Sequence, residues 1–192
     1  MNISTFFGIL ASIIFVASVI PYYISIFKGE TKPSRAGYGI WAVMEAIWLS
    51  SYLAAGATTT KYFGIAGACS AIIIFILSLK RGMGGFGLFD VSCLAMAAIT
   101  AYVWLTTSNA SLAVYMSTAA VSLGYLPVIR KSYLWPKTEN TLSWTLYALS
   151  AAINVLALTT MDLAIILRPL IALTCAITIA GLLQFPKVRL KS

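Results

Sequence analysis

Apolar residues run along this chain in seven blocks, and the polar and charged positions gather in the short gaps between them. The blocks cover roughly 3–27, 37–56, 62–79, 88–107, 111–132, 142–160 and 165–185. About 20 apolar residues suffice for a helix to cross a bilayer, where the backbone must satisfy its own hydrogen bonds, so each block predicts a transmembrane helix. The gaps are short, which makes successive helices antiparallel. The fifth block is the most polar, with Ser117, Thr118 and Ser122. No heptad, solenoid or low-complexity pattern is present.

Composition sharpens this picture. Of 192 residues, 60% are hydrophobic and 9% charged, against about 25% charged in a soluble domain. An all-α, multi-pass integral membrane protein is expected, with no length left for a soluble domain. The expected environment is a lipid bilayer, in the plasma (cell inner) membrane. The net charge of +8 then reports orientation, not affinity for nucleic acid. The first block has no basic stretch before it, so it reads as a retained span and not a cleaved signal. Cys69, Cys93 and Cys175 all fall inside apolar blocks at no metal-binding spacing, and histidine is absent. Neither a disulfide framework nor a metal site follows. With no nucleophile beside a base and no phosphate loop, nothing suggests an enzyme or a bound cofactor.

The basic residues set the orientation. With the N-terminus outside, the inner loops and helix ends hold Lys28, Lys32, Arg35, Lys80, Arg81, Arg130, Lys131, Lys137, Lys187, Arg189 and Lys191, while Lys61 and Arg168 stand outside. Such a bias places loops 28–36, 80–87 and 133–141, and the C-terminus, in the cytoplasm.

An internal repeat is also legible. Pro21 and Pro127 stand 106 positions apart. The same shift pairs Trp41 with Tyr147, Ala42 with Ala148, Ala46 with Ala152 and Ile47 with Ile153. It also pairs Ile65 with Ile171, Cys69 with Cys175, Ile73 with Ile179 and Leu77 with Leu183. The expectation is two parallel three-helix repeats joined by a linker helix, 3+1+3: residues 1–80, a linker over 81–110, and residues 111–192. The fourth helix returns the chain to the outside, so both copies point the same way. Transporters built from parallel repeats bind solute near the midplane between the copies.

This layout resembles the PQ-loop/SWEET superfamily of membrane transporters. The resemblance rests on Ile20-Pro21-Tyr22 and Leu126-Pro127-Val128, each followed by a short basic loop (28–35 and 130–140) and a helix opening Gly37-Tyr38 or Leu142-Ser143-Trp144. The glutamine that names the motif is replaced by Tyr22 and Val128. Sugar-transporting members carry prolines in the second helix of each repeat and asparagine in the third; this chain has neither. A related family of the same layout takes up nicotinamide riboside and other vitamins, holding the ligand with tryptophan and asparagine. The resemblance implies transport by alternating access, with Pro21 and Pro127 as hinges at an inner gate beside Trp41 and Trp144. An interfacial belt is the competing reading for those two tryptophans.

The candidate solute site follows from helical spacing. Trp41, Glu45, Trp48 and Tyr52 are three or four residues apart and share a face. Tyr147 and Asn154 lie on the matching face of the sixth helix, and Ser70 and Thr174 near the middles of the third and seventh. A charge at the bilayer centre costs about 2.5–3.5 kcal/mol on insertion scales, so Glu45 is expected to face the interior. There it would bind a cation or take up a proton; the competing role is a structural bond to a neighbouring helix. Asp90 is expected to cap the fourth helix or pair with Arg81, and Asp162 to pair with Arg168. The expected function is movement of a small polar or cationic solute. A sorting receptor of the same architecture, or a structural subunit, are the alternatives, and a homo-oligomer is possible.

Overall fold

The computed structural model describes residues 3–54, 61–85, 87–106, 110–159 and 163–186. Among them are seven α-helices and no strand: α1 (Ile3–Lys28), α2 (Arg35–Ala54), α3 (Lys61–Arg81), α4 (Leu88–Thr106), α5 (Ala110–Leu134), α6 (Thr141–Leu156) and α7 (Leu163–Gln184), with a short 3-10 turn at Pro136–Thr138. The apolar blocks anticipate each helix to within a few residues. The largest difference is at α6, which ends at Leu156, where the Ala157 N–H returns to Asn154 O. Two helical stretches, Ile3–Lys28 and Ile166–Gln184, are long and apolar enough to cross a membrane.

Six helices close a circuit. α1 packs on α6, α6 on α7, α7 on α5, α5 on α2, α2 on α3, and α3 more lightly on α1, while α4 lies outside against α5 and α2. Large apolar side chains lie outside as well as in the core, and several small polar ones lie inside. Ile9, Ile13, Val16, Ile20, Ile24 and Phe27 form an exposed apolar stripe on α1, whereas Ser18, Ser25, Ser78, Ser132 and Ser150 are buried. In water such a stripe would be an association site.

Buried positions recur at the 106-residue spacing on α1 and α5 (Ser18 and Gly124, Tyr22 and Val128, Ile26 and Ser132) and on α2 and α6 (Tyr38 and Trp144, Met44 and Ser150). On α3 and α7 the spacing is 105: Ala71, Ile74 and Ser78 match Ala176, Ile179 and Leu183. At 106, exposed Ile73 would face fully buried Ile179. The gapless register expected from identities is therefore off by one in the third helix, a slip that apolar residues hide because they match one another at many shifts.

Local sequence explains the ends. α1 stops in a Schellman motif: Gly29 takes φ +76°, its N–H donates to Ile26 O, and the Glu30 N–H donates to Ser25 O. Glycine suits this left-handed position because it has no Cβ to clash. Ser34 caps α2 by accepting from the Gly37 N–H at 3.2 Å, and Asn140 caps α6 by accepting from the Ser143 N–H at 2.8 Å. Replacing Asn140 with alanine is expected to lower thermal stability in detergent by about 1 kcal/mol. An unchanged melting curve would contradict that role for the cap.

The three loops at this end clasp one another. Lys32 N donates to Thr138 O, Arg35 N to Met83 O and Met83 N to Pro33 O. The Arg35 side chain reaches Ser78 O and Gly84 O. Arg81 donates to Ile26 O and Phe27 O, not to Asp90. These guanidinium groups sit where helix C-termini leave carbonyls unpaired and the dipole favours a cation. Asp90 instead accepts from the Gly85 N–H at 2.7 Å.

α2 and α5 approach most closely at two glycines. A Cβ on Gly37 would lie 2.6 Å from Val128 Cγ2 and 2.8 Å from Gly124 O. A Cβ on Gly124 would lie 2.7 Å from Trp41 Cδ1. The missing side chain at Gly124 lets Trp41 approach α5 and donate from Nε1 to Val121 O at 3.0 Å.

Candidate functional site

Inside the circuit lies a chain of aromatic rings. Tyr22 of α1 packs on Tyr38 of α2 at 5.8 Å between centroids. Tyr38 packs edge-on against Trp41 at 5.1 Å, and Trp41 against Tyr125 of α5 at 4.8 Å. The Tyr125 and Tyr147 hydroxyls hydrogen-bond at 2.8 Å. Tyr147 in turn meets Trp144 at 5.7 Å and Phe15 of α1 at 5.9 Å. Edge-on pairs place the positive ring edge on the negative face of the next ring. Trp41 and Trp144 thus face the protein interior, which corrects the interfacial-belt alternative. At the 106-residue spacing, the Tyr38–Trp41 pair on α2 answers the Trp144–Tyr147 pair on α6.

The basic end of this layer is closed by Glu139, which the loop's basic character concealed in the sequence. Its carboxylate is buried and accepts from Tyr22 Oη at 2.9 Å, from Trp144 Nε1 at 2.9 Å, and from Lys131 Nζ in an ion pair. Lys131 also donates to Thr138 O at 3.2 Å. α1, α5 and α6 converge on this one side chain. Lys131, counted above among the basic loop and helix-end residues, is neutralised inside the protein. The signal that points to Glu139 is its rarity: the whole chain has five acidic residues, and an aromatic residue stands within reach on either side.

Near the middle of α2, Glu45 forms an ion pair with Arg168 of α7. Among the described residues, α2 and α7 make no backbone contact. Both pack on α5, and the pair links them. A bond from Glu45 to a neighbouring helix, the competing role for this carboxylate, is thus present. Arg168 stands in the second turn of α7, and its partner is Glu45. Asp162, its expected partner, lies outside the described residues. Pro169, beside it, is a third helix-interior proline, so interior prolines are not confined to Pro21 in α1 and Pro127 in α5.

The other candidates scatter. Ser70 Oγ bonds the Tyr23 hydroxyl at 3.3 Å, linking α3 to α1. Thr174 is exposed and donates to Leu170 O and Ile171 O of its own helix, so it does not join the interior cluster. Asn154 is half-buried near the end of α6. The side chains of Trp48 and Tyr52 lie outside the described residues. The site in hand is thus Glu45, Arg168, Tyr147 and Tyr125, with Trp41, Trp144, Tyr22 and Glu139 towards the basic end. Among the described residues, no group of three or more His, Cys, Asp or Glu side chains could hold a metal. No protein-family model, characterised protein or solved structure matches the chain.

Proposed function

We propose that this chain is a seven-span plasma-membrane transporter with a 3+1+3 architecture, its N-terminus outside and its C-terminus cytoplasmic. It moves a small polar solute by alternating access, and Glu45 belongs to the solute site. The observation that carries this reading is the Glu45–Arg168 ion pair, which links α2 to α7, helices with no backbone contact among the described residues. Ionisable residues inside a membrane are expensive and mark solute or ion paths more often than they serve as glue.

Several features support the architecture. The packing scheme is unchanged when α1, α2 and α3 are exchanged for α5, α6 and α7: α1 on α6 becomes α5 on α2, and α3 lies between α1 and α2 as α7 does between α5 and α6. Lys32 and Thr138, equivalent at 106, bond each other, as residues beside a two-fold axis would. The exposed apolar stripe on α1 suits a lipid solvent, and the small buried residues suit close packing within it.

In this reading the present conformation is shut at the basic end. Tyr22–Glu139 and Lys32–Thr138 tie the first triplet to the second there. Pro21 and Pro127 each remove one backbone hydrogen bond next to that closure, which suits them to bend when it opens.

Full-length protein in liposomes, tested against sugars, amino acids, vitamins and nucleosides, should accumulate at least one of them. A charge-assisted hydrogen bond contributes about 1.5–3 kcal/mol, so Glu45→Gln should weaken that solute's binding by about 10–100-fold. Ligand binding without flux would favour a receptor instead. Uptake unaffected by Glu45→Gln would remove the carboxylate from the site.

A further inference from the structure

We propose that the basic end of the bundle carries a binding site for the headgroup of an anionic phospholipid, held between the C-terminal ends of α1 and α3. This rests on the membrane embedding of the reading above and not on transport. Phe27, Lys28, Lys32, Lys80 and Arg81 line an open cavity of about 480 Å³ there, within the range of about 300–1,000 Å³ usual for small-molecule sites. Four cations converge on this cavity, and among the described residues no carboxylate lines it. Glu30, between Lys28 and Lys32 in the chain, is exposed and outside the lining. A topology signal needs basic residues only somewhere in the loops, so it does not account for their convergence.

The cations are free to take a ligand. Lys28, Lys32 and Lys80 are exposed, and their side chains make no hydrogen bond or ion pair among the described residues. Arg81 is fixed in place. Its Nη1 donates to Ile26 O at 3.1 Å and to Phe27 O at 2.7 Å, and its guanidinium stands 5.2 Å from the centre of the Phe27 ring. Nε and Nη2 make no hydrogen bond among the described residues. Donors of the planar fork therefore remain for phosphate oxygens, which the fork fits with two parallel bonds.

The walls say where the phosphate comes from. Ile20, Ile24 and Phe27 of α1 are exposed, as are Ile72, Ile76 and Leu79 of α3. Spacings of three and four place each set on one helix face. Each stripe ends at the cavity, that of α1 in Phe27 itself and that of α3 beside Lys80. A soluble phosphate would use the cations and leave the stripes idle. A phospholipid uses both, with its phosphate among the cations and its acyl chains along the helices. A zwitterionic headgroup would bring an ammonium group beside four cations with no carboxylate to receive it, so a net negative headgroup is preferred. Basic pockets between helices on the cytoplasmic side suit such headgroups. A lipid held by both helix ends adds a link at the lightest contact of the circuit, that between α1 and α3.

The test is native mass spectrometry of the full-length protein in detergent, reading the first lipid bound. The probes are phosphatidylglycerol and phosphatidylcholine with the same acyl chains, and deacylated glycerophosphoglycerol. Phosphatidylglycerol should bind at least about tenfold tighter than either of the others. Lys28→Gln and Lys80→Gln should each weaken it about fivefold. Lys137→Gln, which removes an exposed charge at the same end but outside the cavity, should change it little. Equal affinity for the two lipids, or no difference between the cavity variants and Lys137→Gln, would overturn the proposal in favour of a diffuse basic surface. Glycerophosphoglycerol binding as tightly as the lipid would overturn it in favour of a soluble anion. Membrane embedding fails separately, if alkaline carbonate strips the chain from the membrane fraction, and the proposal falls with it. An embedded chain without headgroup preference sinks this site alone. Absence of solute uptake into liposomes sinks transport and leaves this site standing.

Discussion

Replacing Glu139 with alanine is expected to destabilise the protein by about 3–5 kcal/mol, the cost of breaking a buried ion pair from one side. The substitution strands three donors at once. Lys131 Nζ loses its counter-charge, and the Tyr22 hydroxyl and the Trp144 indole lose their acceptor. Lys131 is buried, so its ammonium has no easy route to water. The measurement is reversible unfolding in mixed micelles, against wild type. Because Lys131 and Glu139 interact directly, the double variant Lys131→Met/Glu139→Leu should lose much less than the sum of the two single variants. Additive losses, or wild-type stability in Glu139→Ala, would show that the carboxylate does not hold these helices. Under alternating access the same variant should also spend less time closed at the basic end. A cysteine reagent applied from that side to a reporter cysteine between the triplets would react faster.

Replacing Gly124 with valine is expected to separate α2 from α5. The first atom of the new side chain would already stand 2.7 Å from Trp41 Cδ1 and nearer still to Nε1, and Gly37 on the opposite helix has no slack, with Val128 Cγ2 at 2.6 Å from its own virtual Cβ. Overpacking of this kind costs about 1–3 kcal/mol, and losing the Trp41–Val121 hydrogen bond adds about 1 kcal/mol. Gly67 supplies the control. A Cβ there meets nothing within 4 Å, and alanine favours a helix over glycine by about 1 kcal/mol, so Gly67→Ala should be neutral or stabilising. Were both variants to behave alike, the contrast between crowded and open glycines would have no energetic content. Tryptophan fluorescence would report the displacement of Trp41 directly, because its indole sits in the contact.

Much of this protein is legible before any coordinates. The seven apolar blocks give the helices because hydrophobicity is a local property read along the chain. The Schellman end at Gly29 and the caps at Ser34 and Asn140 are local as well, although only the structure revealed them. The face shared by Trp41 and Glu45 follows from helical period alone. Even the 106-residue spacing appears as matched residues, and it survives in the burial of α1, α2, α5 and α6.

What the tertiary structure alone decided is which charges meet. By position in the chain, Arg168 falls near the start of the seventh apolar block, Lys131 at the end of the fifth and Glu139 in a basic linker. In space, Arg168 pairs with Glu45, and Lys131 and Glu139 close on each other beneath Tyr22 and Trp144. The one-residue slip between α3 and α7 is decided in the same way, by which face each helix turns to its neighbours. A charged side chain takes its partner from whichever helices pack side by side, and from their rotation about their own axes. Glu45 and Arg168, 123 positions apart, meet only because of how their helices pack, whereas Lys131 and Glu139, eight positions apart, are brought together by the turn between α5 and α6.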